Sequence, residues 1–153
     1  MNKFKWCFIG TGSLAKQVAS QLNKSGLHEI VSCYTRDYQK GEKFAKKFGG
    51  TAYDTAEKAI TADGVEGVYV VTPHNAHYRY VKKALELGKP VLCEKAFTVT
   101  ATKLMSLLNS PEKKIYTCAK LCGLGFPHLQ IKQKNGLMKI NQEKFIRQIL
   151  LII

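Results

Sequence analysis

Residues 8–15, FIGTGSLA, set Gly10, Gly12 and Ala15 in a G-x-G-x-x-A pattern between an apolar run and a run with helical spacing. Glycines so placed permit a tight turn and let the backbone approach a pyrophosphate held at a helix N-terminus. The pattern alone is weak, but at the opening of a βαβ unit it points to a dinucleotide rather than an incidental glycine-rich turn. Further on the chain reads Thr35-Arg36-Asp37. An acid at the end of the second strand would bind a ribose 2′-hydroxyl, whereas an arginine accommodates a 2′-phosphate. The nearest acid stands after the arginine, which favours NADP over NAD; the alternative is that Arg36 is a solvated loop charge. A third candidate is Glu94-Lys95, directly behind the apolar run 90–93. A desolvated lysine at the carboxyl edge of a sheet can share a proton with a substrate, although such a pair is more often a loop ion pair.

The elements that must position these residues alternate from the start. KFKWCFI is strand-like, SLAKQVASQLNKSG has helical spacing at Leu14, Val18 and Leu22 with Gly26 as a stop, and EIVSCYT is a second strand. DYQKGEKFAKKFG reads as a helix closed by Gly49, GTAYDTAEKAITA as a short extended piece and a helix, and GVEGVYVVT as a buried strand. NAHYRYVKKALELG carries apolar or aromatic residues at 78, 81, 84, 85 and 87, and KPVLCEK is a further strand. TATKLMSLLNS and KIYTC add one more helix and strand. Apolar strands separated by helices predict an α/β fold, a Rossmann-type doubly wound parallel sheet covered on both faces.

The 153 residues suit one domain. No apolar run approaches the roughly 20 residues of a membrane helix, and the first residues lack a signal peptide's apolar stretch, so a cytoplasmic protein without a membrane partner is expected. Five cysteines, at 7, 33, 93, 118 and 122, suit reduced buried thiols better than disulfides. The net charge of +13 raises nucleic acid as a partner. Its distribution weakens that idea: residues 1–111 hold 16 Lys/Arg against 9 Asp/Glu, and residues 112–153 hold 8 against 2. The tail offers only Phe126 and Phe145 as aromatics after Tyr116, too few for a basic face with interleaved stacking rings, so no nucleic-acid partner is expected.

GTGSLA, YTRD, VYVVTPHNAHY and GKPVLCEKAFTVT occur in that order. With these motifs the chain resembles, over residues 3 to about 118, the glucose-fructose oxidoreductase, inositol dehydrogenase and rhizopine-catabolism family of NAD(P)-dependent oxidoreductases, and within it the dihydrodiol-dehydrogenase-like branch. The resemblance implies that Gly10, Gly12, Ser13 and Leu14 line the pyrophosphate and Thr35 and Arg36 the adenosine ribose. It places Thr72, Pro73, Asn75 and His77 in the loop after the fourth strand, near the nicotinamide ribose. Glu94 and Lys95 match the family's E-K-P motif, whose lysine lies near nicotinamide and substrate; Ala96 stands where the family usually has proline. The implied activity is hydride transfer between a nicotinamide cofactor, NADP or NAD, and a sugar, polyol or diol, with Lys95 as the catalytic residue. A rival of another class is a non-catalytic NAD(P)-binding or redox-sensing module. His74 and His77 with Cys118 and Cys122 have spacings a metal could use, but the histidines fall where the family contacts its cofactor, and no metal is expected.

The same resemblance implies a second, substrate-binding domain that typically supplies the catalytic histidine and the interface of a homo-oligomer. Residues 1–118 are thus read as the NAD(P)-binding domain and 119–153 as an atypical basic tail. After KIYTC a family member would continue much like EAMWTWFSP, whereas this chain gives AKLCGLGFPHLQ. The third base of each codon, joined to the first two of the next, permits Glu from Ala119-Lys120, Ala from Lys120-Leu121, Met from Leu121-Cys122 and Trp from Cys122-Gly123. Thr, Trp, Phe, Ser and Pro follow, and Asn141 to Phe145 permit SGEI. A frameshift near Cys118 with truncation is the resulting expectation; the alternative is a natural short chain with a divergent C-terminal helix.

Overall fold

The computed structural model describes residues 3–94, together with the backbone of two short strands at 115–117 and 130–131. The helix expected over 100–110, as well as Lys95, Ala96, Cys118, Cys122 and the remainder of the tail, lie outside the described residues. The elements are β1 (Phe4–Ile9), α1 (Ser13–Ser25), β2 (His28–Tyr34), α2 (Tyr38–Phe48), β3 (Thr51–Tyr53), α3 (Ala56–Ile60), β4 (Gly67–Val70), α4 (His74–Glu86), β5 (Val91–Cys93), β6 (Ile115–Thr117) and β7 (Gln130–Ile131). The described strands run in the order β3-β2-β1-β4-β5-β6-β7. Pairing is parallel from β3 to β6, and β7 lies antiparallel to β6. The doubly wound parallel sheet expected from the alternation is present. The antiparallel strand falls where the βα rhythm of the sequence is lost.

Strand periodicity explains why β1 is apolar from Trp6 to Ile9, with Lys5 the half-buried exception near its start. Phe4, Trp6 and Phe8 pack into the layer formed with α1 and α2, while Cys7 and Ile9 pack into the layer formed with α3 and α4. β4 and β5 divide likewise, with Tyr69 and Leu92 on the first face and Val68, Val70, Val91 and Cys93 on the second. A strand covered on both sides has no position at which a polar residue reaches water, so alternation disappears. Full burial of a side chain such as Phe8 or Ile9 contributes about 1.5–3 kcal/mol.

α1 ends where expected, at Gly26 with φ 70°. Its buried face differs by one position from the predicted stripe: Ala15, Ala19 and Leu22 are buried, whereas Leu14 and Val18 are half-buried. Small residues at the contact let the helix lie close to the sheet, and the larger Leu14 sits to the side of it. On α4 the predicted Val81, Ala84 and Leu85 are buried, but His77 and Tyr80 join them while Tyr78 and Leu87 are only partly covered. The N-terminus of α2 is capped by Asp37, whose carboxylate accepts from the Lys40 amide at 3.2 Å, and that of α3 by Thr55.

Candidate dinucleotide site

The carboxyl ends of β1, β2, β4 and β5 are bound to one another. The Gly10 amide donates to the Tyr34 carbonyl at 2.8 Å, Val71 to Ile9 at 2.9 Å, and Glu94 to Val70 at 3.0 Å. Gly10 has φ 108°, and a Cβ there would stand 2.6 Å from the Val71 carbonyl oxygen. Backbone meets backbone at that point, and the fold itself demands the glycine. Gly12 is different. Its φ of −69° suits any residue, and a Cβ there would meet no protein atom within 4 Å. Nothing within the described fold requires Gly12 to be bare.

Gly12 is also the N-cap of α1, with no side chain bonded to the helix end and no acid in the first turn. By helix geometry the amides of Ser13, Leu14 and Ala15 have no acceptor inside the helix. The macrodipole adds roughly half a positive charge at that end. α2 and α3, by contrast, are both closed by side-chain caps.

Thr35 is half-buried at the end of β2, and Arg36 beyond it is exposed. Across the edge, Pro73 is the N-cap of α4, so the helical run read from Asn75 begins one residue earlier, at His74, and Asn75 and His77, which the resemblance sets in the loop after β4, lie in its first turn. Asn75 is exposed, but His77 is fully buried, and its Nε2 lies 2.6 Å from the Thr72 carbonyl oxygen. A carbonyl only accepts, so Nε2 carries the proton in this contact. His77 therefore braces Thr72 from behind. The Thr72 Oγ1 is buried and has no hydrogen-bond partner. His74 and His77 stand edge to face, 5.5 Å between centroids, and no group of three or more metal-ligating side chains occurs among the described residues.

At the end of β5, Glu94 is buried and its Oε1 accepts a hydrogen bond from the Tyr69 hydroxyl. Sequence reading passed over Tyr69 as one more apolar strand residue. The signal was available: a tyrosine in a strand buried on both faces needs a partner for its hydroxyl. Tyr34 and Tyr80 were missed similarly; their rings lie 5.8 Å apart, joining the end of β2 to α4. The described thiols are all buried. Burial pushes Cys7 up to about 12 and Cys33 up to about 11, and it raises Cys93 as well, so all three are inert thiols, as the buried-cysteine expectation required.

A dinucleotide fits this edge. The bare Gly12, the uncapped α1 terminus and the orphaned Thr72 Oγ1 are three features that the described fold leaves unsatisfied, and a pyrophosphate with its ribose supplies both negative charge and acceptors.

Comparison with known proteins agrees with the geometry. Residues 4–119 match the GFO/IDH/MocA model, described as an oxidoreductase family with an NAD-binding Rossmann fold. The chain is 33% identical over 142 residues to the D-xylose 1-dehydrogenase (NADP(+)) of Hypocrea jecorina, covering 84% of this chain and 36% of that one. It is 32% identical over 107 residues to the mouse trans-1,2-dihydrobenzene-1,2-diol dehydrogenase, covering 68% and 32%. A 3-ketoreductase from Actinomadura kijaniata, solved with NADP and TDP-benzene, superposes with a TM-score of 0.70 at 25% identity, over 78% of this chain and 37% of that one. An oxidoreductase from Thermotoga maritima gives 0.66 at 27% identity, over 76% and 38%. The chain spans about a third of the length of the curated relatives it matches. With its glycine turn, parallel strand order and matched span in agreement, the chain belongs to the GFO/IDH/MocA oxidoreductase family and carries that family's NAD(P)-binding Rossmann domain.

Proposed function

We propose that this domain serves an oxidoreductase acting on a sugar, polyol or diol, with NADP as the preferred cofactor. One observation carries the reading: a glycine that the fold does not need, at the uncapped N-terminus of α1. Gly10 and Gly12 shape the turn, and the amides of Ser13 and Leu14 face the pyrophosphate. Thr35 and Arg36 hold the adenosine ribose, with Arg36 as the cation for a 2′-phosphate. Thr72, Pro73 and Asn75 border the nicotinamide ribose, and His77 acts from the interior by fixing the Thr72 carbonyl. Glu94, anchored by Tyr69, fixes the strand end from which Lys95 departs.

When bound, the nicotinamide accepts or returns a hydride at C4. The chain's part is to orient that ring at the carboxyl edge and, through Lys95, to hold a proton for the substrate hydroxyl. The substrate class rests on relatives named as dehydrogenases of D-xylose and of a dihydrobenzene diol, and on a 3-ketoreductase solved with NADP and TDP-benzene. Fluorescence titration with NADPH and NADH tests the cofactor reading. Saturable binding of both, tighter for NADPH, is expected; tighter NADH overturns the preference, and no saturation with either overturns the site.

A further inference from the structure

Arg79 is exposed on α4, and its Cζ lies 5.4 Å from the centroid of the Tyr80 ring. Tyr80 in turn stands 5.8 Å from Tyr34, the last residue of β2, which leads straight into Thr35 and Arg36. Arg79 of α4 and Arg36, two residues beyond Tyr34, thus stand on separate elements that one tyrosine pair links. Both act on the same phenol: burial and the hydrogen bond to Tyr34 push Tyr80 up, while Arg79 and Arg36 oppose that shift.

Several other cations of α2, α3 and α4 are ion-paired. Lys83 pairs with Glu57 at 2.6 Å, Lys82 with Glu86 at 3.8 Å, Lys58 with Asp54 at 2.9 Å and Lys40 with Asp37 at 3.2 Å. Among the described residues neither Arg36 nor Arg79 forms an ion pair. Like charges held near one another without a counter-charge repel, and an anion placed between them relieves the repulsion. A planar guanidinium presents paired donors that match phosphate oxygens, which an ammonium cannot do.

We propose that Arg79 is a specificity-determining residue for the adenosine end of the cofactor, joining Arg36 in holding the 2′-phosphomonoester that distinguishes NADP from NAD. The inference rests on the dinucleotide reading above and adds a determinant from α4, outside the β2 loop in which sequence reading sought it. Tyr80 is the support that directs Arg79 toward β2, and the ring face keeps the guanidinium in place between ligands.

The test uses the full chain and two probe pairs, NADPH against NADH and 2′,5′-ADP against 5′-AMP, titrated into wild type, Arg79→Gln and Arg79→Lys. The glutamine variant should bind NADPH and 2′,5′-ADP about tenfold or more weakly, as expected for loss of a charge-assisted hydrogen bond, and NADH and 5′-AMP within about twofold of wild type. Lysine should restore part of the loss. Melting curves of the variants should match wild type, since the side chain is exposed. An unchanged NADPH affinity in Arg79→Gln, or an equal loss for both members of each pair, overturns the role of Arg79 while leaving the dinucleotide reading intact. Failure of wild type to bind any of the four probes overturns both.

Discussion

The two glycines of the turn should respond in opposite ways to the same substitution, because one is required by the protein and the other by its ligand. In Gly10→Ala the new Cβ would lie 2.6 Å from the Val71 carbonyl oxygen and 2.9 Å from its carbon, on a residue with φ 108°. The backbone conformation costs an alanine about 1–2 kcal/mol. Relieving the overlap means separating the ends of β1 and β4, an overpacking cost of about 1–3 kcal/mol. The total, about 2–5 kcal/mol, is a large share of a domain's 5–15 kcal/mol. It should lower the melting temperature by about 4–20 °C for a chain of this size. In Gly12→Ala nothing lies within 4 Å of the new Cβ, and φ is an ordinary −69°. Alanine is a poorer N-cap than glycine by about 0.5–1 kcal/mol, but it restricts the unfolded chain by a similar amount. Melting should therefore shift by no more than a few degrees, while NADPH affinity falls at least tenfold as the methyl blocks approach to the α1 amides. Calorimetry and fluorescence titration of both variants decide the matter. If Gly12→Ala binds NADPH as wild type does, the pyrophosphate does not lie on that backbone. If it melts as low as Gly10→Ala, the fold, and not the ligand, demands Gly12.

Two further outcomes follow from the geometry and one from the sequence. His28 accepts from the Trp6 indole N–H through Nδ1 at 3.1 Å, so its proton sits on Nε2, which is buried without a partner; burial lowers its pKa. The unfolded state then binds more protons below about pH 6.5, so this contribution to stability is whole above that pH and is lost as pH falls. Wild type should melt progressively lower from pH 7 to pH 5, His28→Gln should lose less over the same range, and parallel pH curves would refute the assignment. Tyr69→Phe removes the donor to the buried Glu94 carboxylate and should cost about 1–3 kcal/mol in denaturant unfolding; a loss below about 0.5 kcal/mol would show that Glu94 has adequate replacement partners. For residues 119–153, translation of the coding DNA in the frame that joins each third base to the next two should yield EAMWTWFSP beyond codon 118, and its absence would end the frameshift reading.

The parallel sheet was legible because its causes are local. Apolar runs of strand length, helical spacings ended by Gly26 and Gly49, and a glycine turn between the first strand and helix leave little besides a doubly wound α/β arrangement. Local spacing did not decide which way every helical side chain turns. The stripe on α1 was assigned to Leu14 and Val18 because large apolar residues dominate a periodicity count, yet close contact with the sheet selected Ala15 and Ala19. The resemblance sets His77 near the nicotinamide ribose, and the structure adds that its ring is buried on α4 with Nε2 at the Thr72 carbonyl, five residues back.

The residue types of the chain by themselves determined the fold class, the glycine turn and the cation after β2, since each depends on neighbours within a few positions. Tertiary structure alone separated Gly10 from Gly12, two residues alike in sequence, because the distinguishing atom is the Val71 carbonyl some sixty residues away. It alone joined Tyr69 to Glu94 and brought Tyr80 of α4 to Tyr34 at the end of β2, because a parallel crossover sets side by side elements that the chain keeps far apart.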